Sequence, residues 1–150
     1  MNRNEPAARP TAQSMVEEFH RLFNIVIHQT PTVIDERTRM LRERLIHEEF
    51  DELKEAMAKN DLFAVAKELA DVLYVVYGTA VSYGIDMEPV FREVHRSNMS
   101  KVGGYKREDG KWVKPATYSP AMIEPILTEQ QAASGKEQSA QSLVEMKSGA

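Results

Sequence analysis

Apolar residues recur at three- and four-residue intervals along most of the chain, a period that predicts helices rather than strands. Met15, Phe19, Leu22, Phe23 and Val26 mark the first helix. Ser14 is its expected N-cap, Glu17 the capping-box partner three residues on, and Gln29-Thr30-Pro31 its expected end. Asp35 caps a second helix running to about Lys59, with Met40, Leu41, Leu45, Phe50, Leu53 and Met57 toward the core. Asn60-Asp61 reads as a turn, and Asp61 caps a third helix that lasts to about Tyr83, where Gly84 suits the left-handed position after the last turn. Leu62, Phe63, Val65, Ala66, Leu69, Val72, Leu73, Val75 and Val76 predict burial of this helix on most sides. Asp86 caps a fourth helix, with Val90, Phe91 and Val94 inward and an end near Lys101.

Beyond Gly103-Gly104 the helical period stops. Asp109-Gly110 is a turn signal for a short hairpin or structured loop over 105–113. Ser119-Pro120 reads as N-cap and first residue of a last short helix through about Glu129. The expected organisation is a loose arm over 1–13, one domain over 14–130 and a disordered tail over 131–150, rich in Ser, Gln, Ala and Gly. The fold class is all-α: a four-helix-bundle-like domain with a short loop or hairpin and a C-terminal helix.

Composition narrows the possibilities. At 42% hydrophobic and 28% charged, 150 residues can bury a core without disulfides or a structural metal. The absence of cysteine removes thiolate zinc sites and a cysteine nucleophile. The start, Met1 to Pro6, lacks the apolar core of a signal peptide, and the apolar run Leu62–Tyr83 contains Lys67, Glu68 and Asp71. These features predict a cytoplasmic protein without a membrane span. A net charge of −4 argues against general nucleic-acid binding. The distribution says more: eight acidic and three basic residues lie between Glu48 and Asp71, seven basic and three acidic between Arg92 and Lys114. One region suits cations and the other anions.

The acidic region is the strongest chemical signal. The second helix carries Glu48-Glu49-x-x-Glu52 and the third Glu68-x-x-Asp71. Residues three or four apart share a helical face, so each set forms a carboxylate patch. Alone, the run from Glu48 to Glu55 reads most simply as a solvated acidic face with Lys54 and Lys59 nearby. On a buried third helix, however, paired carboxylates are costly unless a cation neutralises them. An ion pair from Glu68 to Lys67 is a poor alternative, because adjacent helical residues do not face each other. The short turn makes the two helices antiparallel neighbours, with Glu52 and Glu68 each about eight residues from it. Four or five carboxylates are then expected at one spot, and hard oxygen donors without sulfur or imidazole suit Mg²⁺ or Mn²⁺.

This arrangement resembles the signature of the all-α nucleoside triphosphate pyrophosphohydrolases, the MazG-like group, a superfamily that also includes dimeric dUTPases and phosphoribosyl-ATP pyrophosphohydrolase. The run Ser97-Asn98-Met99-Ser100-Lys101, then Arg107 to Lys111, Lys114-Pro115 and Tyr118, is similar to a small single-domain branch of these enzymes. The likeness covers about 15 to 127. It implies that Glu49, Glu52, Glu68 and Asp71 bind metal, with Glu48 holding a further ion or the attacking water. It also implies a homodimer or homotetramer acting on a nucleoside triphosphate, with the base left open between guanine and uracil nucleotides and phosphoribosyl-ATP less favoured.

The chemistry expected of such a site is attack of water on the α-phosphorus, activated by Glu48 or Glu49, with pyrophosphate leaving. Lys101, Lys114, Arg107 and Lys111 are candidates for neutralising the phosphates, and Asn98 and Tyr118 for binding phosphate or sugar. Glu17-x-x-His20 has a metal-like spacing but reads as surface or base-pocket chemistry. His47 and His95 read as partly buried polar groups, and Arg37, Arg39, Arg42 and Arg44 as phosphate contacts or ion-pair partners. Tyr74, Tyr77 and Tyr83 read as core, and Trp112 either covers a base or staples its loop. Two rivals remain. A di-iron carboxylate bundle needs Glu-x-x-His on two helices and finds it once. A non-enzymatic helical partner protein predicts no metal affinity.

Overall fold

The computed structural model describes residues 9–133, which form five helices and one two-stranded hairpin in the all-α class. Residues 1–8 of the expected arm and 134–150 of the expected tail lie outside the described residues, and 131–133 are helical. The chain divides into two units, one ending at Gly84 and one beginning at Ile85.

In the first unit, α1 (Ala12–Leu22) opens on Thr11, whose hydroxyl accepts from the Ser14 amide at 3.1 Å. Ser14 is therefore inside the helix and not its cap. Thr11 in extended backbone supplies the acceptor first, and Gln13 and Ala12 are good helix formers. The helix also stops short of Gln29. Asn24 adopts a left-handed φ of 54°, which asparagine tolerates better than most residues, and the Ile25 amide turns back to the His20 carbonyl at 2.8 Å. The following segment lies along the end of α3 (Leu62–Tyr83): the His28 amide donates to Val81 at 3.2 Å and the Thr32 amide to Tyr83 at 2.9 Å.

The caps of α2 (Glu36–Ala58) and α3 fall where their chemistry predicts. Asp35 accepts from the Thr38 amide at 3.0 Å, and Asp61 accepts from the Phe63 and Ala64 amides at 3.1 Å each. Gly84 closes α3 at φ 68°, where a Cβ would lie 2.2 Å from the Thr30 carbonyl oxygen. Glycine is required there twice over, by conformation and by space.

The buried stripe of α2 runs through Thr38, Arg42, Leu53 and Ala56, with Leu45, Ile46 and Glu49 half-buried between them. Against it stand Val16 and His20 from α1 and Glu68, Gly78, Ala80, Val81 and Ser82 from α3. Much of this core is polar. Arg42, 6% exposed, has its Nη1 3.5 Å from the His20 Nε2, and its buried Nε has no hydrogen-bond partner among the described residues. A donor left unsatisfied in this way costs about 1–3 kcal/mol. Burial, with the neighbouring Arg42 charge, holds the His20 pKa below its usual value; its Nδ1 donates to the Val26 carbonyl at 3.1 Å, which leaves Nε2 as the acceptor toward Arg42.

Several expected core positions are open instead. Met15, Phe19, Leu22, Phe23 and Val26 of the first segment, Met40, Leu41, Phe50 and Met57 of α2, and Phe91 and Val94 are exposed. So are Leu62, Phe63, Leu69, Leu73 and Val76 of α3, with Phe63 at 89%. The period identifies an apolar face, but α3 has one face on α2 and α1 and another that no described residue covers. His47 and His95 are exposed, and the buried histidine is His20.

In the second unit, α4 (Met87–Met99) starts on Asp86, which accepts from the Glu88 amide at 3.0 Å. Strands β1 (Tyr105–Lys106) and β2 (Trp112–Val113) pair antiparallel with Tyr105 opposite Val113, and Gly110 takes the turn at φ 83°. The last helix, α5, occupies 124–133 and does not begin at Ser119-Pro120. Ser119 is engaged elsewhere: its amide donates to the Ser100 hydroxyl at 2.9 Å and its own hydroxyl accepts from Arg96 at 3.1 Å.

Candidate active site

The turn between α2 and α3 sets the geometry of the acidic site. Lys59 caps α2, Asn60 takes a φ of 53°, and Asp61 opens α3, so the chain reverses within three residues. Glu49 on α2 then meets Glu68 and Asp71 on α3, one oxygen of each lying within 4.8 Å of the others. Glu68 is 8% exposed, and a buried carboxylate of this kind needs a positive partner.

Lys67 is that partner here. Its Nζ lies 3.1 Å from both Glu68 carboxylate oxygens and 2.7 Å from Asp71 Oδ2. The expectation that an ion pair from Glu68 to Lys67 is a poor alternative does not hold. The i,i+1 argument follows Cβ directions, whereas a four-carbon stem reaches sideways, and Lys67 also stands four residues before Asp71. The two carboxylates raise the ammonium's pKa well above its ordinary value. For Glu49, burial raises the pKa first, the charges of Glu52 and Asp71 add to the effect, and the charge of Lys67 opposes it.

Three oxygen-bearing groups therefore converge, rather than four or five. Glu52 lies close enough to influence Glu49 electrostatically. Glu48 is turned toward Arg44, 3.8 Å away, and Asp51 toward Lys54 at 2.9 Å. The donor set fits a hard divalent cation: carboxylates from two helices, no sulfur or imidazole, and an ammonium already occupying the position of positive charge. The buried setting of α3 that the apolar pattern suggested is not what makes these acids unusual, since Asp71 is half-exposed and the outer face of α3 is open. Their convergence is.

The second unit gathers a cationic group. Asn98 Oδ1 accepts from Lys101 Nζ at 2.7 Å, and Lys114 Nζ stands 3.9 Å from the Tyr118 ring centroid. The Tyr118 phenol is lowered from its usual pKa by hydrogen bonds with Ser97 and Lys114, then by the charges of Lys114 and Lys101. Arg107 is not part of this group; it pairs with Asp109 at 3.0 Å in the hairpin. Trp112 donates from Nε1 to the Lys101 carbonyl at 2.8 Å, stapling the hairpin to the end of α4. Glu17 of the Glu-x-x-His spacing is tied to Arg21.

Two features escaped the sequence reading, the Lys67 bridge and the buried Arg42–His20 pair. The four-residue spacing of Lys67 and Asp71 could have disclosed the first. The second was signalled by the register of Arg42 with Thr38 and Glu49.

A family model for phosphoribosyl-ATP pyrophosphohydrolase matches residues 16–98, a span that contains Glu49, Glu68, Asp71 and Asn98 but not Lys101, Arg107, Lys114 or Tyr118. An uncharacterized protein of Acanthamoeba polyphaga mimivirus is 34% identical over 87 residues, covering 53% of this chain and 34% of that protein. The chain thus spans about a third of the length of this relative.

Proposed function

The chain belongs to the phosphoribosyl-ATP pyrophosphohydrolase family, within the MazG-like nucleoside triphosphate pyrophosphohydrolase superfamily, and we propose that it cleaves a ribo- or deoxynucleoside triphosphate between its α and β phosphates. The observation that carries the proposal is the meeting of Glu49 with Glu68 and Asp71 across the α2–α3 turn. In this reading those three, with Glu52 beside them, hold Mg²⁺, for which Mn²⁺ substitutes; Glu48 is available to a further ion. The divalent ions supply charge neutralisation and Lewis-acid polarisation at the phosphate oxygens.

The chain's own residues do the rest. Glu49, at the meeting point of the two helices, takes a proton from the attacking water; Glu48 is the alternative acceptor. The water oxygen bonds to the α-phosphorus, the bond from that phosphorus to the bridging oxygen breaks, and pyrophosphate departs. Lys67 steps aside from Glu68 and Asp71 as other positive charge arrives. Phosphate and sugar recognition falls to Asn98, Lys101, Lys114 and Tyr118, and to Arg107 from the hairpin. The exposed Phe63, Leu69 and Leu73 of α3 favour assembly with further copies as a homodimer or homotetramer.

The test is a pyrophosphate-release screen over all ribo- and deoxynucleoside triphosphates, with Mg²⁺ and separately with Mn²⁺. Metal-dependent release of one pyrophosphate per monophosphate is the expected result. Flat, negligible rates across the panel would reject the assignment.

A further inference from the structure

Two lysines of the second unit are held differently from those of the first. Lys54, Lys59 and Lys67 each pair with a carboxylate. Among the described residues Lys101 and Lys114 pair with no acid: Lys101 donates to the Asn98 amide oxygen at 2.7 Å, and Lys114 stands 3.9 Å from the centre of the Tyr118 ring. The two share a neighbour. Lys101 follows Ser97 by four residues, and the buried Ser97 hydroxyl donates to the Tyr118 phenol at 3.4 Å. Lys114 is exposed and Lys101 half-buried, and an ammonium carries three donors, so N–H bonds remain open on both. Like charges gathered about one phenol with no acid among them leave the counter-charge to a ligand.

We propose that Trp112 is the positioning residue for this pair: by tying the hairpin to the end of α4 it fixes Lys101 against Lys114, so that together they hold two linked phosphoryl groups in preference to one; the role rests on the pyrophosphohydrolase reading above. Trp112 Nε1 donates to the Lys101 carbonyl at 2.8 Å, and the Gly104 amide donates to the same oxygen at 3.0 Å. Both donors clamp the backbone from which the Lys101 side chain projects. Trp112 also stands in β2, opposite Lys106, and Lys114 follows it by two residues. One indole therefore joins the backbone beneath both ammoniums. Gly104 permits the approach: a Cβ there would lie 2.1 Å from the Val113 carbonyl oxygen and 2.6 Å from Trp112 Nε1.

A fixed separation is what distinguishes a pyrophosphate from a phosphate. A lysine meets a phosphate as a point charge. Once one ammonium has engaged the first phosphoryl group, a second at a set distance meets the next one at high effective concentration. A hairpin released from α4 would keep both charges and lose that gain. Free pyrophosphate and the β,γ end of a nucleoside triphosphate present the same chemistry.

Trp112 is the chain's single tryptophan, so its emission reports on the joint directly. The experiment titrates the full chain, with a chelator present, with inorganic pyrophosphate and with inorganic phosphate, by calorimetry and by fluorescence. Wild type should bind pyrophosphate about tenfold more tightly than phosphate, the effect of one further charge-assisted contact, with a saturable change in Trp112 emission. Lys101→Met should lose that preference. Trp112→Phe keeps a ring and every charge but removes the donor, and should bring the two affinities within about threefold. Gly104→Ala keeps the fluorophore and both lysines while forcing the joint open; it should do the same, and decides the matter if Trp112→Phe does not fold. Displacement of pyrophosphate by adenosine 5′-triphosphate would support the pairing with the substrate's end as ligand, and failure to displace would support it with the released product. Wild type without a pyrophosphate preference overturns the proposal. So does a preference unchanged in both Trp112→Phe and Gly104→Ala while their thermal midpoints fall, which would make Trp112 a structural staple alone. Pyrophosphate release is measured alongside: its absence, with the preference present and lost on Trp112→Phe, sinks the hydrolase reading and leaves the role of Trp112 standing.

Discussion

Replacing Glu68 by glutamine preserves shape and removes one charge from the acidic triad. The Glu68 oxygen stands within 4.8 Å of one oxygen each of Glu49 and Asp71. At an effective dielectric of about 20, two unit charges at that separation repel by about 3 kcal/mol. Asp71 is half-exposed, so its share is reduced, and the Glu68→Gln protein would also lose the charge-assisted contact to Lys67 at 3.1 Å. These opposing effects leave the metal-free variant as stable as wild type or somewhat more so. A net gain of about 1 kcal/mol corresponds to a rise of roughly 2–4 °C in the thermal midpoint for a chain of this size. With Mg²⁺ the order should reverse. A ligand at a hundred times its Kd stabilises the folded state by about 2.7 kcal/mol, so wild type should gain several degrees and Glu68→Gln little or nothing. Scanning calorimetry with and without Mg²⁺, run beside pyrophosphate release, measures both sides. A Glu68→Gln protein that keeps the wild-type Mg²⁺ shift and the wild-type rate would refute the reasoning.

Lys67→Met removes the ammonium that competes for the triad, so Mg²⁺ or Mn²⁺ should bind a few-fold more tightly by equilibrium dialysis; unchanged or weaker affinity would show that Lys67 does not occupy the cation's place. Glu93, held by Arg96 and the Met122 amide, has its pKa lowered from 4.5 to about 2. Its ionised form favours the folded state, so its contribution is complete above about pH 4.5 and fades as acid approaches pH 2; a urea-midpoint series from pH 5 to 2 should slope less for Glu93→Gln. Gly84→Ala should destabilise by about 2 kcal/mol or more in urea unfolding, combining left-handed strain with displacement of the Thr30 carbonyl.

Local chemistry was the most legible part of the chain. Asp35, Asp61 and Asp86 each cap the helix that follows, because a short acceptor ahead of a helical run satisfies amides only two or three residues away. The acidic triad was legible for a related reason: a tight turn at Asn60 leaves α2 and α3 little choice but to run back along each other. What lay farther off was not. Phe63, Leu69 and Leu73 mark an apolar face, but periodicity says nothing of what rests on it, and within the described residues nothing does. Ser14 and Ser119 have the right residue type for a cap; Thr11 precedes the first, and Ser100 and Arg96 engage the second. Arg42 hid among similar neighbours, distinguished only by the side of the helix on which it falls.

The tight reversal at Asn60 also bears on how the protein comes to be active. The three converging acids all fall between positions 49 and 71, on two helices joined by a turn of three residues. Closing so short a loop costs little chain entropy, and contacts of low sequence separation form early. The acidic centre is thus completed with the first helical hairpin, whereas the Arg42–His20 layer waits for α1 to dock. Metal affinity should emerge during refolding before the layer around His20 closes, and a stopped-flow experiment that follows both signals would see them separate in time.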